Sequence, residues 1–443
     1  MKIAWFTPFG PQSAIGHYSE AVVDALAERH AVTVYAPCGA EGLEPRSTRH
    51  PLVRLPETPD AALLVGLEQF DVLIYNMGDY FPYHHAIYEV LLRRPGVVVL
   101  HDLVMRTFFF SYCLEHHGDR EELVRLAECD HGPEAGHHAR EVVVEGRRSE
   151  SPDDPERLRW PLFKSALGRC LGVVAHSEYV RGRVAEAVPV PVAKLDFPCF
   201  GPLVARLHEF PSPKPKGDGP VNLVTFGMIN PNKMVHATIE AIGQSKRLRQ
   251  AVTFSVLGQV VPSYLERLNG LIRNYELGNV VQLRGRVSDD ELRDALRQAD
   301  VAINLRNPHM GESSASLLDS LLAGIATIVW DHGSYAEFPD EVVSKVSSEQ
   351  QLARVLEKLA ANAGLRRRMG EAARSHSLNR FNTARYCDQL HQFLEAVLWN
   401  KPRLALVDQL SDRLAEMGVA PNDELIGRLA EEIASLSGAA SVV

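Results

Sequence analysis

Short apolar runs alternate with amphipathic helical segments along the whole chain, and this alternation restricts the fold more than any other feature. Continuous runs of apolar, largely β-branched residues indicate strands that are covered on both faces, as in a parallel sheet flanked by helices. The sequence therefore predicts an α/β protein. In the first half the predicted strands are residues 2–7, 31–35, 72–75, 97–100 and 171–175.

The alternation restarts after a segment rich in proline and glycine, which indicates a second domain. Residues 208–220 contain four prolines and two glycines, a composition that cannot continue a helix or a central strand. A chain of 443 residues also exceeds the roughly 250–300 residues that one hydrophobic core supports. We predict an N-terminal Rossmann-like domain over 1–205, a linker over 206–220, a second Rossmann-like domain over 221–400 and a helical tail over 401–443. The predicted strands of the second domain are residues 221–226, 252–257, 280–283, 301–305 and 326–330.

The composition is that of an ordinary globular protein, with 45% hydrophobic and 23% charged residues. The longest apolar runs are far shorter than the roughly 20 residues of a membrane-spanning helix. The first residues contain a single lysine and an apolar stretch that stops at Pro8, so we expect no secretory leader and a cytoplasmic location. The six cysteines show no C-x-x-C spacing and are expected to be reduced thiols.

The formal charge of −9 is unevenly distributed. Residues 1–200 contain 20 Lys and Arg against 28 Asp and Glu, and the remainder contains 27 against 28. An acidic first half argues against binding to nucleic acid, whose phosphates attract basic surfaces. A weak peripheral contact with a membrane stays open, and the sequence does not indicate an oligomeric state.

Ligands of open α/β sheets bind beyond the carboxyl ends of the strands, so the loops there are candidate sites. In the first half, loop 8–16 ends in Gly16 at a helix start, where amide groups favour an anion or a sugar hydroxyl. This loop lacks the G-x-G-x-x-G pattern of dinucleotide cofactors, and a simple turn explains it equally well. His101 and Asp102 follow another strand and have proton-transfer and hydrogen-bonding groups. Ser177 follows a third strand, either as a helix N-cap or as a ligand contact.

Two loops of the second half have groups that suit phosphate. Gly227 opens a loop that leads to Lys233 at a helix start, where a cation is disfavoured unless an anion accompanies it. A second loop contains a cation, two carboxylates seven positions apart and small residues at a helix start. This combination suits a nucleotide sugar. The residues of that loop are Arg306, Glu312, Ser313, Ser314 and Asp319.

The order of these motifs resembles the GT-B glycosyltransferases of family 4 over about residues 1–400. The resemblance implies an α/β protein with two doubly wound Rossmann-like domains facing a cleft, followed by C-terminal helices. It further implies that the acceptor binds the N-terminal domain and a nucleoside diphosphate sugar binds the C-terminal domain. Retention of anomeric configuration, with no cofactor and no obligatory metal, is also implied.

The resemblance implies a role for each candidate residue. His101 and Glu312 are the catalytic candidates, the first contacting a sugar hydroxyl near the reacting centre and the second contacting the transferred sugar. The donor diphosphate is assigned to two cations and to the amides of two serines, which would offset the charge of the leaving group. The remaining assignments are diphosphate contacts by Lys233, Arg306, Ser313 and Ser314, ribose by Asp319, the base by Arg286, and the acceptor or phosphate loop by Gly16, Asp102 and Ser177.

Two positions depart from the family pattern. Met228 stands where the family has an arginine after the glycine, and Arg306 is the expected replacement from the neighbouring strand end. Glu312 lies one residue after the first of the family's two glutamates, where this chain has Gly311, so either the loop is shifted or its amides take over the contact.

The sequence therefore favours a retaining glycosyltransferase whose acceptor is a hydroxyl of a glycan, a lipid-linked glycan or a small molecule. The resemblance implies front-face displacement, in which a phosphate oxygen of the donor helps to deprotonate the acceptor. The alternatives are a sugar-nucleotide epimerase, which would need further carboxylates and histidines in the cleft, and a catalytically impaired relative. The histidines between residues 116 and 138 match no zinc spacing, and Phe108–Phe110 are expected to be partly core, with an acceptor contact as the alternative.

Overall fold

Two separate parallel sheets organise the chain. The computed structural model describes residues 1–38, 44–147, 154, 156–205, 219–419 and 423–436. Within these ranges every strand pair is parallel, and the strands form one seven-stranded and one six-stranded sheet. The α/β prediction with two doubly wound domains is therefore confirmed.

The first sheet has the strand order β3-β2-β1-β4-β5-β6-β7. The order reverses between β1 and β4, and the carboxyl ends at such a reversal form the crevice in which α/β proteins bind ligands. The strands are β1 (Lys2–Phe6), β2 (Ala31–Pro37), β3 (Leu52–Leu55), β4 (Val72–Met77), β5 (Val97–Leu100), β6 (Gly172–Ala175) and β7 (Val192–Lys194).

The second sheet repeats this arrangement with the order β10-β9-β8-β11-β12-β13. Its reversal lies between β8 and β11. The strands are β8 (Val221–Phe226), β9 (Val252–Leu257), β10 (Val281–Gly285), β11 (Val301–Asn304), β12 (Ala326–Trp330) and β13 (Val343–Val346).

Helices cover both sheets, and none of those described is long and apolar enough to cross a membrane. Short 3₁₀ turns occur at Leu67–Gln69, Pro231–Lys233 and Gly333–Glu337, and a π-helical turn at Ser111–His116. The helices are α1 (Ala14–Leu26), α2 (Ala61–Gly66), α3 (Phe81–Leu91), α4 (Arg106–Phe110), α5 (Arg120–His131), α6 (Pro133–Val143), α7 (Glu156–Arg159), α8 (Phe163–Leu167), α9 (Glu178–Ala185), α10 (Pro202–Ala205), α11 (Val235–Gln244), α12 (Lys246–Ala251), α13 (Pro262–Asn274), α14 (Asp289–Gln298), α15 (Ala315–Leu322), α16 (Glu349–Ala361), α17 (Ala363–Arg380), α18 (Thr383–Glu416) and α19 (Glu424–Leu436).

All ten predicted strands are present, and the sequence missed three. These three, β3, β7 and β13, lie at sheet edges. An edge strand is short and only partly covered, so it lacks the continuous apolar run by which the central strands were recognised. Each of the three also includes a charged residue.

The C-terminal helix α18 returns to the first domain. The hydroxyl of Tyr386 lies 2.5 Å from that of Tyr18 on α1, and both rings are buried. Leu390 and Leu394 extend the same apolar cluster against the first sheet. The boundary placed at residue 400 falls inside α18, which continues through Pro402 to Glu416. Most of the predicted linker, residues 206–218, lies outside the described residues.

A carboxylate of the second domain caps a helix of the first. Glu337 accepts hydrogen bonds from the amides of Glu178 (3.0 Å) and Tyr179 (2.8 Å), the first two residues of α9. Ser177 caps the same helix through the amide of Val180 at 3.2 Å. Because the first amides of a helix have no partner within it and the dipole favours an anion there, Glu337 stabilises the closed arrangement of the domains.

A close backbone approach accompanies this cap. The amide of Val104 donates to the carbonyl of Met310 across the interface at 3.2 Å. Gly311, at φ +85°, faces Leu103 so closely that a Cβ at Gly311 would lie 2.3 Å from the Leu103 Cβ. A glycine is therefore required where the two domains meet.

Replacing the interdomain cap is expected to loosen the closed arrangement. For Glu337→Ala we expect a loss of about 1–2 kcal/mol in the free energy of unfolding, typical of a lost helix cap. We also expect a larger radius of gyration by small-angle X-ray scattering. Glu341→Ala, which removes a neighbouring exposed carboxylate, is the matched control. Equal scattering and stability for both variants would show that the cap does not hold the domains.

Candidate functional site

A cavity of about 430 Å³ lies between the domains, at the carboxyl ends of both sheets. Loops that follow β1, β4 and β5 form one wall, and loops that follow β8 and β11, with the start of α15, form the other. The structure places seven of the predicted residues on these walls. They are His101, Asp102, Lys233, Arg306, Glu312, Ser313 and Ser314.

Gly16 is adjacent to the cavity, but its amide is already used. It donates to the Oγ of Ser13, the N-cap of α1, at 3.1 Å. A Cβ at this position would lie 2.7 Å from the carbonyl oxygen of Pro8, so the glycine allows the loop to pack against its helix. Ala14 and Ile15, not Gly16, line the cavity.

Three further candidates lie apart from the cavity walls. Ser177 caps α9 and lines a smaller pocket next to the cavity, together with Ser313 and Ser314. Arg286 is exposed after β10. Asp319 is partly buried on α15, and burial raises the pKa of its carboxyl to about 7.

Lys233 lies beneath the wall of the second domain. Its side chain is 4% exposed, and its Nζ donates to the carbonyl of Phe226. Burial lowers the pKa of Lys233 well below its usual value, and Arg306 adds to this effect while Glu312 opposes it. A buried amine with a lowered pKa suits an anion, because the anion supplies the counter-ion that lets the amine hold its proton.

Arg306 and Glu312 form an ion pair on the same wall. The Nε of Arg306 lies 3.4 Å from Glu312 Oε1, while Glu312 Oε2 accepts from the amide of Met310 at 2.8 Å. Burial would lower the pKa of Arg306, but Tyr335 and Glu312 outweigh it and raise this pKa. The guanidinium is therefore charged at every ordinary pH. Glu312 is held by Arg306 and by its own loop.

The start of α15 completes this wall. Ser314 caps the helix by accepting from the amide of Leu317 at 3.2 Å. Unpaired amides and the helix dipole favour an anion at such a start. Met228, which stands in place of the arginine expected from the family pattern, is 58% exposed and lines the cavity.

On the opposite wall, His101 is buried and neutral. Its Nε2 lies 3.0 Å from Oδ1 of Asn76, and its ring packs edge-on against Tyr18 with centroids 5.0 Å apart. Burial lowers the pKa of His101 well below its usual value, with smaller contributions from His176 and His84. The imidazole can therefore accept or donate a hydrogen bond without a charge.

Two carboxyls with raised pKa values lie beside it. Asp102 accepts from the amide of Asp79 at 2.9 Å, and Asp79 accepts from the amide of Phe108 at 2.9 Å. Burial raises the pKa of Asp79 to about 7 and that of Asp102 to about 6. Groups that titrate near neutral pH are suited to proton transfer.

Several residues of this site were not predicted from the sequence. Asp79 follows β4 just as the other candidates follow their strands, so the same rule applied to this loop would have found it. Asn76 was signalled by a single amide within an apolar strand, and His84 by no clear pattern. Glu337 was not predictable, because its partners lie about 160 residues away.

The histidines between residues 116 and 138 and the stretch Phe108–Phe110 do not line this cavity. No group of three or more His, Cys, Asp or Glu in the described part of the chain is arranged to hold a metal ion. Phe108 and Phe109 are fully buried and Phe110 is partly buried, as expected for core residues.

Comparison with known families identifies the second domain. Residues 208–376 match the family model for glycosyl transferases group 1. This part of the chain therefore has a glycosyl transferases group 1 domain. No curated protein sequence matches the chain.

Solved structures agree on the fold. HepE of Anabaena, determined in complex with UDP, is 15% identical with a TM-score of 0.57 and covers 89% of this chain and 100% of its own. Sucrose-phosphate synthase from Thermosynechococcus elongatus is 15% identical with a TM-score of 0.57, and the match covers 90% of this chain and 99% of the synthase. WaaG, a glycosyltransferase involved in lipopolysaccharide biosynthesis, is 14% identical with a TM-score of 0.55, and the match covers 89% of this chain and 99% of WaaG. The chain has the GT-B fold.

The carboxyl of Asp319 is expected to lower the stability of the protein at neutral and alkaline pH. Its folded pKa of about 7 lies above the usual value of 3.8, so the native state holds a proton that the unfolded state releases between these pH values. The carboxyl therefore destabilises the protein as the pH rises toward 7, and the cost is complete above it. Asp319→Asn should raise the melting temperature at pH 8 and leave it unchanged near pH 4. A variant whose melting temperature rises equally at both pH values would contradict this assignment.

Proposed function

We propose that this protein is a retaining glycosyltransferase that moves a sugar from a nucleoside diphosphate sugar to a hydroxyl of a glycan, lipid-linked or small-molecule acceptor. The observation that carries the proposal is the shared cavity, which has cationic groups and a helix start on one wall and neutral or weakly acidic groups on the other. The glycosyl transferases group 1 domain supplies the cationic wall.

On the donor wall, Lys233, Arg306 and the amides around Ser313 and Ser314 would bind the diphosphate. Cations and fixed dipoles aimed at the leaving group offset the charge that develops as the glycosidic bond breaks. Binding of the diphosphate would give Lys233 the counter-ion that it lacks. HepE structures contain UDP and UDP-glucose, so uridine nucleotides are the first donors to test.

The base and ribose contacts of the donor stay as the sequence suggested them. Asp319 would accept from ribose hydroxyls, and Arg286 would lie near the base. Neither residue lines the cavity, so each needs its own binding measurement.

On the acceptor wall, His101 would accept from a sugar hydroxyl near the reacting centre, and Asp102 would accept from a different hydroxyl of the acceptor. Glu312 would contact the transferred sugar while Arg306 holds its carboxylate in place. Front-face displacement would leave deprotonation of the acceptor to a phosphate oxygen of the donor. Gly16 and Ser177 would act by shaping the loop and the α9 start.

We propose that transfer needs neither a metal nor a cofactor, since the two cations and the amides of α15 would offset the diphosphate charge. Activity that survives prolonged chelation supports this; activity that is lost to a chelator and restored by a divalent cation refutes it.

The proposed location is the cytoplasm, and fractionation of the native host tests it.

Two measurements test the proposed function in sequence. Thermal-shift screening against uridine, guanosine and adenosine diphosphates identifies the base, because a ligand of the native state raises its apparent stability. Incubation of the matching nucleotide sugars with acceptor panels then reports transfer, and the proton NMR spectrum of the product gives its anomeric configuration. Inversion of configuration would refute the retaining assignment.

Lys233 gives the sharpest test of the donor wall. Lys233→Ala should weaken nucleoside diphosphate binding by about ten- to a hundredfold, which corresponds to one lost charged hydrogen bond. Because the pKa of Lys233 is lowered and an anion raises it again, diphosphate binding to the native protein should take up protons. Calorimetry in buffers of different ionisation enthalpy measures this uptake. Lys358→Ala, on the exposed face of α16, is the control, and unchanged affinity in Lys233→Ala would reject the phosphate role.

The acceptor wall also favours a second candidate, a sugar-nucleotide epimerase. Such an enzyme needs additional acid and base groups in the cleft, and Asp79 and Asp102 titrate near neutral pH beside His84 and His101. Incubation with the donor alone separates the two candidates, since an epimerase needs no acceptor. A changed sugar without added acceptor would favour the epimerase.

A further inference from the structure

Asn76 is a fully buried polar residue that connects the two histidines of the acceptor wall. It lies within the apolar strand β4 and is 0% exposed. Its Nδ2 donates to the carbonyl of Phe6 at 2.9 Å, and its Oδ1 lies 3.0 Å from Nε2 of His101. Its backbone carbonyl lies 2.9 Å from Nδ1 of His84.

These contacts determine which nitrogen of each ring has the proton. The Phe6 carbonyl can only accept, so the amide of Asn76 must direct its NH₂ group toward Phe6 and its oxygen toward His101. That oxygen can only accept as well, so the proton of His101 is on Nε2. The backbone carbonyl of Asn76 likewise requires the proton of His84 on Nδ1.

Both rings are uncharged at neutral pH. Burial lowers the pKa of His84 to about 4 and that of His101 well below its usual value. Each ring therefore has one nitrogen bound to Asn76 and one nitrogen with a free lone pair. Since both histidines line the cavity, that second nitrogen can only accept a hydrogen bond from a ligand.

We propose that Asn76 is a positioning residue that fixes His84 and His101 as opposite neutral tautomers, so that, with Asp102, they form a wall of hydrogen-bond acceptors. This inference rests on the proposed function and deepens it. Above the pH at which Asp102 loses its proton, these three side chains only accept, so they select a substrate region with adjacent hydroxyl groups. They disfavour a phosphate or carboxylate in the same place, because those groups have no proton to donate.

The surroundings of His101 preserve its neutral state. Its ring lies 5.2 Å from that of His176, whose pKa burial lowers to about 4, and packs against Tyr18, whose pKa burial raises well above its usual value. His84 is also neutral. The carboxyls of Asp102, which follows His101 in the sequence, and of Asp79 also line this wall, and burial raises their pKa values to about 6 and about 7.

Nuclear magnetic resonance of the intact protein labelled with ¹⁵N-histidine tests the tautomers directly, with signals assigned through single histidine substitutions. We expect His101 to be protonated at Nε2 and His84 at Nδ1. This measurement needs no turnover, so it remains decisive even if the proposed transfer activity is wrong. A proton on Nδ1 of His101 would overturn the proposal.

Asn76→Asp tests the consequence for function. A carboxylate beside Nε2 favours the charged imidazolium, so the pKa of His101 should rise while His84, held by the backbone, keeps its tautomer. The acid limb of the kcat/KM profile should move to higher pH, with a fall of about tenfold at pH 6 and less at pH 8. Asn304→Asp is the control for the histidine signals, since Asn304 is a buried asparagine of β11 bonded to Ser320.

Acceptors that differ at one hydroxyl test the selectivity. An acceptor substrate whose hydroxyl facing this wall is replaced by a methoxy or phosphate group should be a poorer substrate of the native protein, because the replaced group has no proton to donate. If a phosphate group is tolerated at every position of the substrate, His84, His101 and Asp102 do not form a wall of hydrogen-bond acceptors. If Asn76→Asp does not fold, the tautomers of the native protein and these acceptors still decide the matter.

Discussion

The contact between the domains is the constraint on which the rest of the site depends. Glu337 of the second domain accepts hydrogen bonds from the amides at the start of α9. Gly311 lies so close to Leu103 that no side chain fits at its position. The carboxyl ends of both sheets therefore face each other at short range. Neither domain alone encloses the cavity, because each contributes one wall.

The two walls differ in electrostatic character, as the proposed transfer from a charged donor to a hydroxyl requires. Lys233 is a buried amine and Arg306 is a partly buried cation on the side of the glycosyl transferases group 1 domain, and both suit a diphosphate. The facing wall has neutral imidazoles and carboxyls whose pKa values are raised by burial. The acidic excess of the first half thus coincides with the wall that would bind hydroxyl groups.

The central strands and most wall residues were predictable because they follow from local patterns. Apolar runs located ten strands, and the rule that ligands bind at carboxyl ends located His101, Lys233 and Arg306. What the sequence did not reveal depends on distant partners. Three of the four edge strands in the described sheets lack continuous apolar runs, Glu337 acts on a helix of the other domain, and the use of Ser13 by the Gly16 amide is visible only in three dimensions.

A crystal structure of the protein with a bound nucleoside diphosphate tests the central claim most directly, namely that the two domains enclose one donor and acceptor site. We expect the diphosphate at the start of α15, within hydrogen-bonding distance of Lys233 Nζ, with the lysine turned away from the Phe226 carbonyl. A nucleotide bound outside the cleft, with Lys233 still donating to Phe226, would contradict it.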